Sequence, residues 1–306
     1  MAVRLKDFSG WNVYSGSAEG SGRSEKVWLI SPEHQAGLFK FPKLDPATGH
    51  ETSEHISEHL ACRLGQLLDV KTAKVDIGTY HGRIGSMSYQ VNQSNQELRE
   101  GIYFISSCYQ HYDAEKMIDA QTGQRYCLEM IFKSIEARGY VKTRASLVEM
   151  MMFDFLIGNA DRHQSNWAGL YTYYPETNKK GVRRCPLYDN GSSLCCYVND
   201  GQIEKMFGRD PGPFRALADS KSRSIIRIDG YAKALPTHKD VARYLLEHEP
   251  KARETGKRFL DRLNESEIDK LLDVYPETLL SPGKNQLIRR FLRRKMEILD
   301  DLMKGY

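Results

Sequence analysis

The stretch Leu156–Tyr171, LIGNADRHQSNWAGLY, sets a block of polar and charged side chains between two apolar runs. Two readings are open. Asn and Asp are at home in turns, so the block is a capped surface turn. Alternatively it is a D-R-H-x-x-N loop, Asp161 to Asn166, with a carboxylate and an amide five residues apart. In phosphoryl transfer an Asp accepts the proton of the attacking hydroxyl and an Asn at that spacing holds Mg²⁺. On that reading Asp161 is the candidate base and Asn166 a candidate metal ligand, while His163 orients the loop or a neighbouring carboxylate.

Around this block the pattern supplies context. RASLVEMMMFDFLIG reads as a nearly buried helix running straight into it, and NWAGLYTYY and VRRCPLYD, separated by PETNKKG, read as a hairpin leaving it. The hairpin ends at Asp189 in PLYDNGSSL, 28 residues beyond Asp161. D-N-G by itself is a routine turn. A carboxylate at the end of that strand is also able to bind the metal that bridges β- and γ-phosphates.

Toward the N-terminus, GSAEGSGRSEK (Gly16–Lys26) is a Gly/Ser-rich loop feeding the β-type run VWLI. Such a loop is a flexible connection, or it brings backbone N–H groups against phosphate. AGLFKFPK then alternates as a strand does, with Leu38 and Lys40 on one face and Phe39 and Phe41 on the other. Lys40 is a cation in an apolar strand, where an unpaired charge is costly. It sits on an exposed edge, or it has a carboxylate or anionic partner. TSEHISEHLACRLGQLL places Ile56, Leu60, Leu64 and Leu67 at helical spacing, with Thr52 or Ser53 available as N-cap. Glu58 lies on its other face with Ala61 and Gly65, which makes it the natural partner of Lys40. KVDIGTY, a His81-Gly82 turn and RIGSMSYQV form a second hairpin. Beyond about residue 105 the pattern is mostly helical, with C-terminal helices near 238–247, 251–262, 265–274 and 284–304.

The chain as a whole sets bounds. Its 306 residues exceed the usual single core, so two lobes are expected. Hydrophobic residues at 40% and charged residues at 27% describe a globular protein, not a disordered one. No run approaches the ~18 apolar residues of a membrane helix, and the N-terminus lacks a signal-peptide core, so a cytoplasmic location without membrane contact is expected. The six cysteines have no metal-ligand spacing and read as reduced thiols. The net charge of +4 is too mild to indicate nucleic-acid binding.

LIGNADRHQSNW is similar to the G-N-x-D-x-H-x-x-N segment of HipA-like serine/threonine kinases, the bacterial toxin kinases. SEHLACRLGQLLDV resembles the helix of that family that carries the lysine's glutamate partner. Phosphoinositide 3- and 4-kinases share the D-R-H-x-x-N form. The resemblance spans roughly residues 16 to 200. It implies an α+β, bilobal protein-kinase-like fold: residues 1–100 as an N-lobe with a small antiparallel sheet and one helix, and 101–306 as a mainly helical C-lobe. It also implies ATP and Mg²⁺. Lys40 would contact the α/β-phosphates and pair with Glu58; Asp161 would be the base, supported by His163; Asn166 and Asp189 would bind Mg²⁺.

In that family a loop of the form S-x-x-G-x-x-x-K precedes the first strand, and phosphorylation of its Ser switches the enzyme off. Gly22 and Lys26 match, Glu19 takes the serine position, and Ser21 and Ser24 lie close by as autophosphorylation candidates. The implied partners are a protein with an acceptor Ser or Thr and an antitoxin. The chain begins about fifteen residues before the loop, so the compact form is expected, without the N-terminal subdomain that helps HipA contact its antitoxin. Two alternatives stand beside the protein kinase: a phosphoinositide-like or other small-molecule kinase, and a degenerate kinase-fold binding module. SKSRSIIR (Ser220–Arg227) reads as a solvated loop. Arg289, Arg290, Arg293 and Arg294 give the last helix a basic face, although Ile288, Leu292, Leu299 and Leu302 make it an ordinary packed amphipath. Adenine contacts are expected within 91–105.

Overall fold

Alternating runs and helical spacing resolve, in a computed structural model that describes residues 2–14, 25–45, 48–174, 176 and 179–306, into strands and helices grouped as two compact units. One unit comprises residues up to Val91 together with Tyr188–Phe214 and Arg262–Arg293; the other comprises Asn92–Leu187, Arg215–Asp261 and Arg294–Tyr306. The chain first passes from one unit to the other between Val91 and Asn92, and each unit also gathers later stretches of chain.

The first unit is built on a six-stranded sheet in the order β1-β5-β6-β4-β3-β2. Its strands are β1 (Lys6–Asp7), β2 (Asn12–Val13), β3 (Lys26–Ile30), β4 (Ala36–Lys40), β5 (Val75–Tyr80) and β6 (Arg83–Tyr89). β3 and β4 pair as an antiparallel hairpin, β5 and β6 form the hairpin expected around His81-Gly82, and β4 pairs with β6 so that Lys40 faces Ser86 across the ladder. The two-residue strands β1 and β2 widen the sheet, β1 by a parallel pairing with β5. Phe8, Leu29, Phe39, Phe41, Met87 and Tyr89 form the core on one face.

Helix α1 (Glu54–Leu68) packs on β5 and β6. Gly65 allows it to lie close: a Cβ there would meet Thr72 Cγ2 at 2.5 Å and the Val70 carbonyl at 2.8 Å. The N-cap expectation needs correcting. Ser53 holds the cap position, yet its hydroxyl makes no cap hydrogen bond and reaches the Cys196 carbonyl at 3.4 Å instead.

In the second unit β7 (Gln96–Glu100) joins β10 (Ala168–Tyr174) and β11 (Lys179–Arg184) in the order β11-β10-β7. Between them lie α2 (Gly101–Cys108), β8 (Tyr112–Asp113), β9 (Ile118–Asp119), α3 (Leu128–Glu136) and α4 (Val141–Ile157). Helix α4 ends where Gly158 turns into the left-handed region at φ 67°, a conformation that suits glycine. The rest is helical: α5 (Asp200–Phe207), α6 (Gly212–Arg215) with a π-turn at Ala216–Ser220, α7 (His238–His248), α8 (Pro250–Arg262), α9 (Glu265–Leu272) and α10 (Pro282–Met303). The four C-terminal helices stand within two residues of their expected ends.

Three smaller expectations are settled by side-chain contacts. All six cysteines are free, five of them buried. The segment Ser220–Arg227 is not a solvated loop, because Ser222, Ser224 and Ile226 are buried. The arginines of α10 are engaged: Arg289 with Asp269 and Asp273, Arg290 with the Met206 carbonyl and the Phe214 ring, Arg293 with Asp269, and Arg294 with Asp219 and Glu297. Among the described residues no helix is long and apolar enough to cross a membrane.

Candidate active site

A lysine in an apolar strand must find counter-charge, and Lys40 finds two. Its ammonium donates to Glu58 Oε1 at 3.1 Å and to Asp189 Oδ1 at 2.8 Å. Glu58 is only 3% exposed and Asp189 is 44% exposed, so one arm of this bridge is dry and the other is wet. Burial alone would push the ammonium toward its neutral form, but the Asp189 and Glu58 charges outweigh it and hold the pKa above the ordinary lysine value. The second Glu58 oxygen, Oε2, is buried with no hydrogen-bond partner among the described residues.

Helix α1 also holds the segment that carries Asp189. Ser57 donates to the Ser193 carbonyl at 2.9 Å, and the Ser53 N–H donates to the Cys196 carbonyl at 3.1 Å. Buried Lys284 of α10 donates to the Cys195 and Val198 carbonyls. Asp189 itself sits at φ 55°, and Leu194 and Cys195 follow at 48° and 62°. Non-glycine residues in this region are uncommon and cluster where surrounding contacts enforce them.

In the other unit, the loop after α4 is organised from within. Asp161 donates its N–H to Asn159 Oδ1 at 3.1 Å. Asn166 donates its side-chain amide to the Asp161 carbonyl at 2.7 Å, which turns its own Oδ1 away from that bond. His163 accepts the Ser165 N–H on Nδ1 at 3.2 Å, so the ring orients the loop itself. Among the described residues no group of three or more His, Cys, Asp or Glu side chains stands ready as a metal cage. Mg²⁺ seldom uses one, being held by one or two carboxylates together with substrate phosphates.

With this geometry in view, comparison with known proteins is informative. Residues 18–224 match the family model of the HipA-like C-terminal domain. The chain belongs to that family. The serine/threonine-protein kinase CtkA of Helicobacter pylori is 25% identical over 206 residues, 65% of this chain, and the chain spans 59% of that relative's length. The crystal structure of the H. pylori proinflammatory kinase CtkA matches at a TM-score of 0.79 and 20% identity over 98% of both chains. HipA of Shewanella oneidensis, solved with HipB and operator DNA, matches at 0.57 and 14% identity over 98% of this chain and 70% of that one. The fold is therefore the α+β kinase fold of CtkA and HipA.

In this HipA-like chain several residues that the sequence reading passed over shape the site. Arg162 is not a solvent-facing member of the loop: it is 1% exposed, forks onto Asp154 of α4 at 2.8 and 2.9 Å, and donates to the Asn166 carbonyl at 2.6 Å. Asp154 also accepts from the Asn159 amide at 3.1 Å. A lone carboxylate inside MMMFDFLI was the available signal, of the same kind that singled out Lys40. Near Lys40, Glu54 pairs with Lys43 at 3.1 Å. Lys26 lies directly opposite Lys40 in the β3–β4 register. Ser21, Gly22 and Ser24 fall outside the described residues. The stretch expected to contact adenine contains β7 and the start of α2.

Proposed function

We propose that this chain is an ATP-dependent serine/threonine protein kinase of the HipA-like type. The observation that carries the reading is the Lys40 bridge: a lysine anchored by a buried glutamate and extended to a half-exposed aspartate. Lys40, held by Glu58, binds the α/β-phosphates as a fixed positive charge. Asp161 takes the proton of the acceptor hydroxyl, and His163 keeps the turn in shape. Asn166 and Asp189 are the metal ligands, an all-oxygen pair that suits a hard cation. When bound there, Mg²⁺ neutralises charge on the phosphates. Lys26, the first residue of β3, and Ser21, Gly22 and Ser24 before it are assigned to phosphate binding, and Ser21 or Ser24 is the autophosphorylation position. A cytoplasmic protein acceptor belongs to the same reading; an antitoxin partner does not follow from it, since the compact form is the one expected.

Radiolabelled ATP with Mg²⁺ and a cytosolic extract tests it. Wild-type protein is expected to label a protein acceptor, and Asp161→Asn to reduce labelling by roughly 10²- to 10⁴-fold, as loss of a general base does. Asp189→Asn is expected to abolish it with the fold intact. Labelling by either variant at the wild-type rate would remove that residue from its role; labelling of lipid alone would turn the reading to a small-molecule kinase. Mass spectrometry of the incubated protein reads Ser21 and Ser24 directly.

A further inference from the structure

A run of buried polar side chains leads through the second unit to the Asn159–Asn166 loop. Lys295 of α10 is 1% exposed and donates to Ser222 Oγ at 2.8 Å. Ser222 Oγ lies 3.0 Å from His238 Nδ1, and His238 Nε2 lies 2.9 Å from the Asn159 carbonyl oxygen. Ser222 and His238 are also joined through the main chain, His238 N–H donating to the Ser222 carbonyl at 2.8 Å. His238 opens α7, where Thr237 and Asp240 form a capping box that fixes the start of the helix.

The proton positions in this run follow from donor chemistry. A carbonyl oxygen only accepts, so His238 Nε2 carries hydrogen. Burial, together with the neighbouring Lys295 charge, holds the imidazole pKa down to about 3, so the ring is neutral and Nδ1 is an acceptor. Ser222 therefore donates to Nδ1 and accepts from Lys295. Every bond points the same way, from the Lys295 ammonium to the Asn159 carbonyl. Aligned bonds of this kind polarise one another, and a core that needed only volume would use apolar groups. Asn159 in turn accepts the Asp161 N–H and donates to Asp154.

We infer that Lys295, Ser222 and His238 form a directed hydrogen-bond relay that fixes the Asn159 peptide and, through it, the backbone of Asp161, which makes His238 a positioning residue for phosphoryl transfer. The inference rests on the proposed role of Asp161. His238→Phe removes both ring nitrogens at similar volume, whereas His238→Gln keeps an N–H donor near Nε2.

The test measures three things on the full chain: the melting temperature, amide hydrogen exchange in the peptide covering 158–166, and kcat and KM for ATP. With His238→Phe, exchange in that peptide is expected to rise and kcat to fall by about tenfold each, the factor one lost buried hydrogen bond supports, while KM for ATP stays within about twofold. His238→Gln is expected to recover most of both. Ser222→Ala cuts the relay one bond earlier with little change in volume; it is expected to act in the same direction and serves if His238→Phe does not fold. Wild-type exchange in 158–166 in a folded His238→Phe or Ser222→Ala protein would overturn the inference. So would a lower melting temperature with unchanged kcat, since that is a purely structural role. If the wild-type protein transfers no phosphoryl group, the kinase reading fails, while the exchange measurement still decides the relay.

Discussion

Replacing Asp154 by Ala isolates the ion pair beneath the candidate catalytic loop. The substitution removes the Arg162 hydrogen bonds at 2.8, 2.9 and 3.2 Å and the Asn159 amide bond at 3.1 Å. Arg162 and Asp154 are 1% and 6% exposed, so water cannot replace the lost carboxylate without opening the structure. A buried guanidinium would then have lost its carboxylate, while its bond to the Asn166 carbonyl stays. Breaking a buried pair from one side costs about 3–5 kcal/mol, several times the worth of an exposed pair. At about 2 °C per kcal/mol for a chain of this size, the melting temperature should fall by about 6–10 °C. Circular dichroism of Asp154→Ala, Arg162→Met and the Asp154→Leu/Arg162→Met double variant measures it. The double variant buries no charge and should be more stable than Asp154→Ala, short of wild type by the Asn166 carbonyl and the Asn159 amide it leaves without their partners, about 1–3 kcal/mol each. A loss below about 1 kcal/mol in Asp154→Ala, or a double variant less stable than that single, would refute the reasoning.

Three further outcomes are expected. Gly65→Ala gains helix propensity but forces a Cβ to within 2.8 Å of the Val70 carbonyl, so it should destabilise by about 1–3 kcal/mol in urea unfolding, as overpacking does. His59 and His238 are buried with pKa values pulled down to about 4 and about 3 from an ordinary 6.5, so their contribution is complete above pH 6.5 and is lost as pH falls toward 4. Each then costs up to about 1.4 kcal/mol per pH unit; urea midpoints at pH 7.5 and 5 should differ accordingly, and by less in His238→Gln. Lys40→Met strands buried Glu58 and should lower both the melting temperature and phosphoryl transfer, whereas Lys40→Met/Glu58→Gln should recover the first alone.

Legibility in the sequence followed the range of the interaction. Helix α1 shows in Ile56, Leu60 and Leu64 because helical periodicity is local. The loop from Asp161 to Asn166 shows because its spacing lies within one contiguous stretch. The Lys40–Glu58 pair is legible for a different reason: a charge in an apolar strand demands a partner, and the next helix supplies one 18 residues away. Nothing local announces that Lys40 also meets Asp189, 149 positions on, or that His238 and Lys295 serve the Asn159 loop. The two-residue strands β1 and β2 are too short to carry a period. Ser53 occupies the cap position that its residue type favours, but its hydroxyl is spent on Cys196, a tertiary contact that outcompetes the local one.

The unequal arms of the Lys40 bridge decide what Asp189 can do. Both carboxylates compete for one ammonium, yet losing each has a different consequence. Glu58 at 3% exposure would be left as a buried charge without its lysine, and its other oxygen has no hydrogen-bond partner among the described residues. Asp189 at 44% exposure would be left facing water, which solvates a carboxylate well. The Asp189 contact is the shorter, at 2.8 Å against 3.1 Å, but being solvent-screened it costs less to lose than the buried Glu58 arm. On the proposed reading, a divalent cation takes the place of the Asp189–lysine contact while Lys40 stays on Glu58 and keeps its charge for an anionic ligand. A bridge with two buried arms would bind Asp189 too firmly to release it, and one with two exposed arms would leave Lys40 without a fixed position. The burial of Glu58 and the exposure of Asp189 set the two carboxylates apart: one holds the lysine away from water, and the other, on the proposed reading, takes the metal.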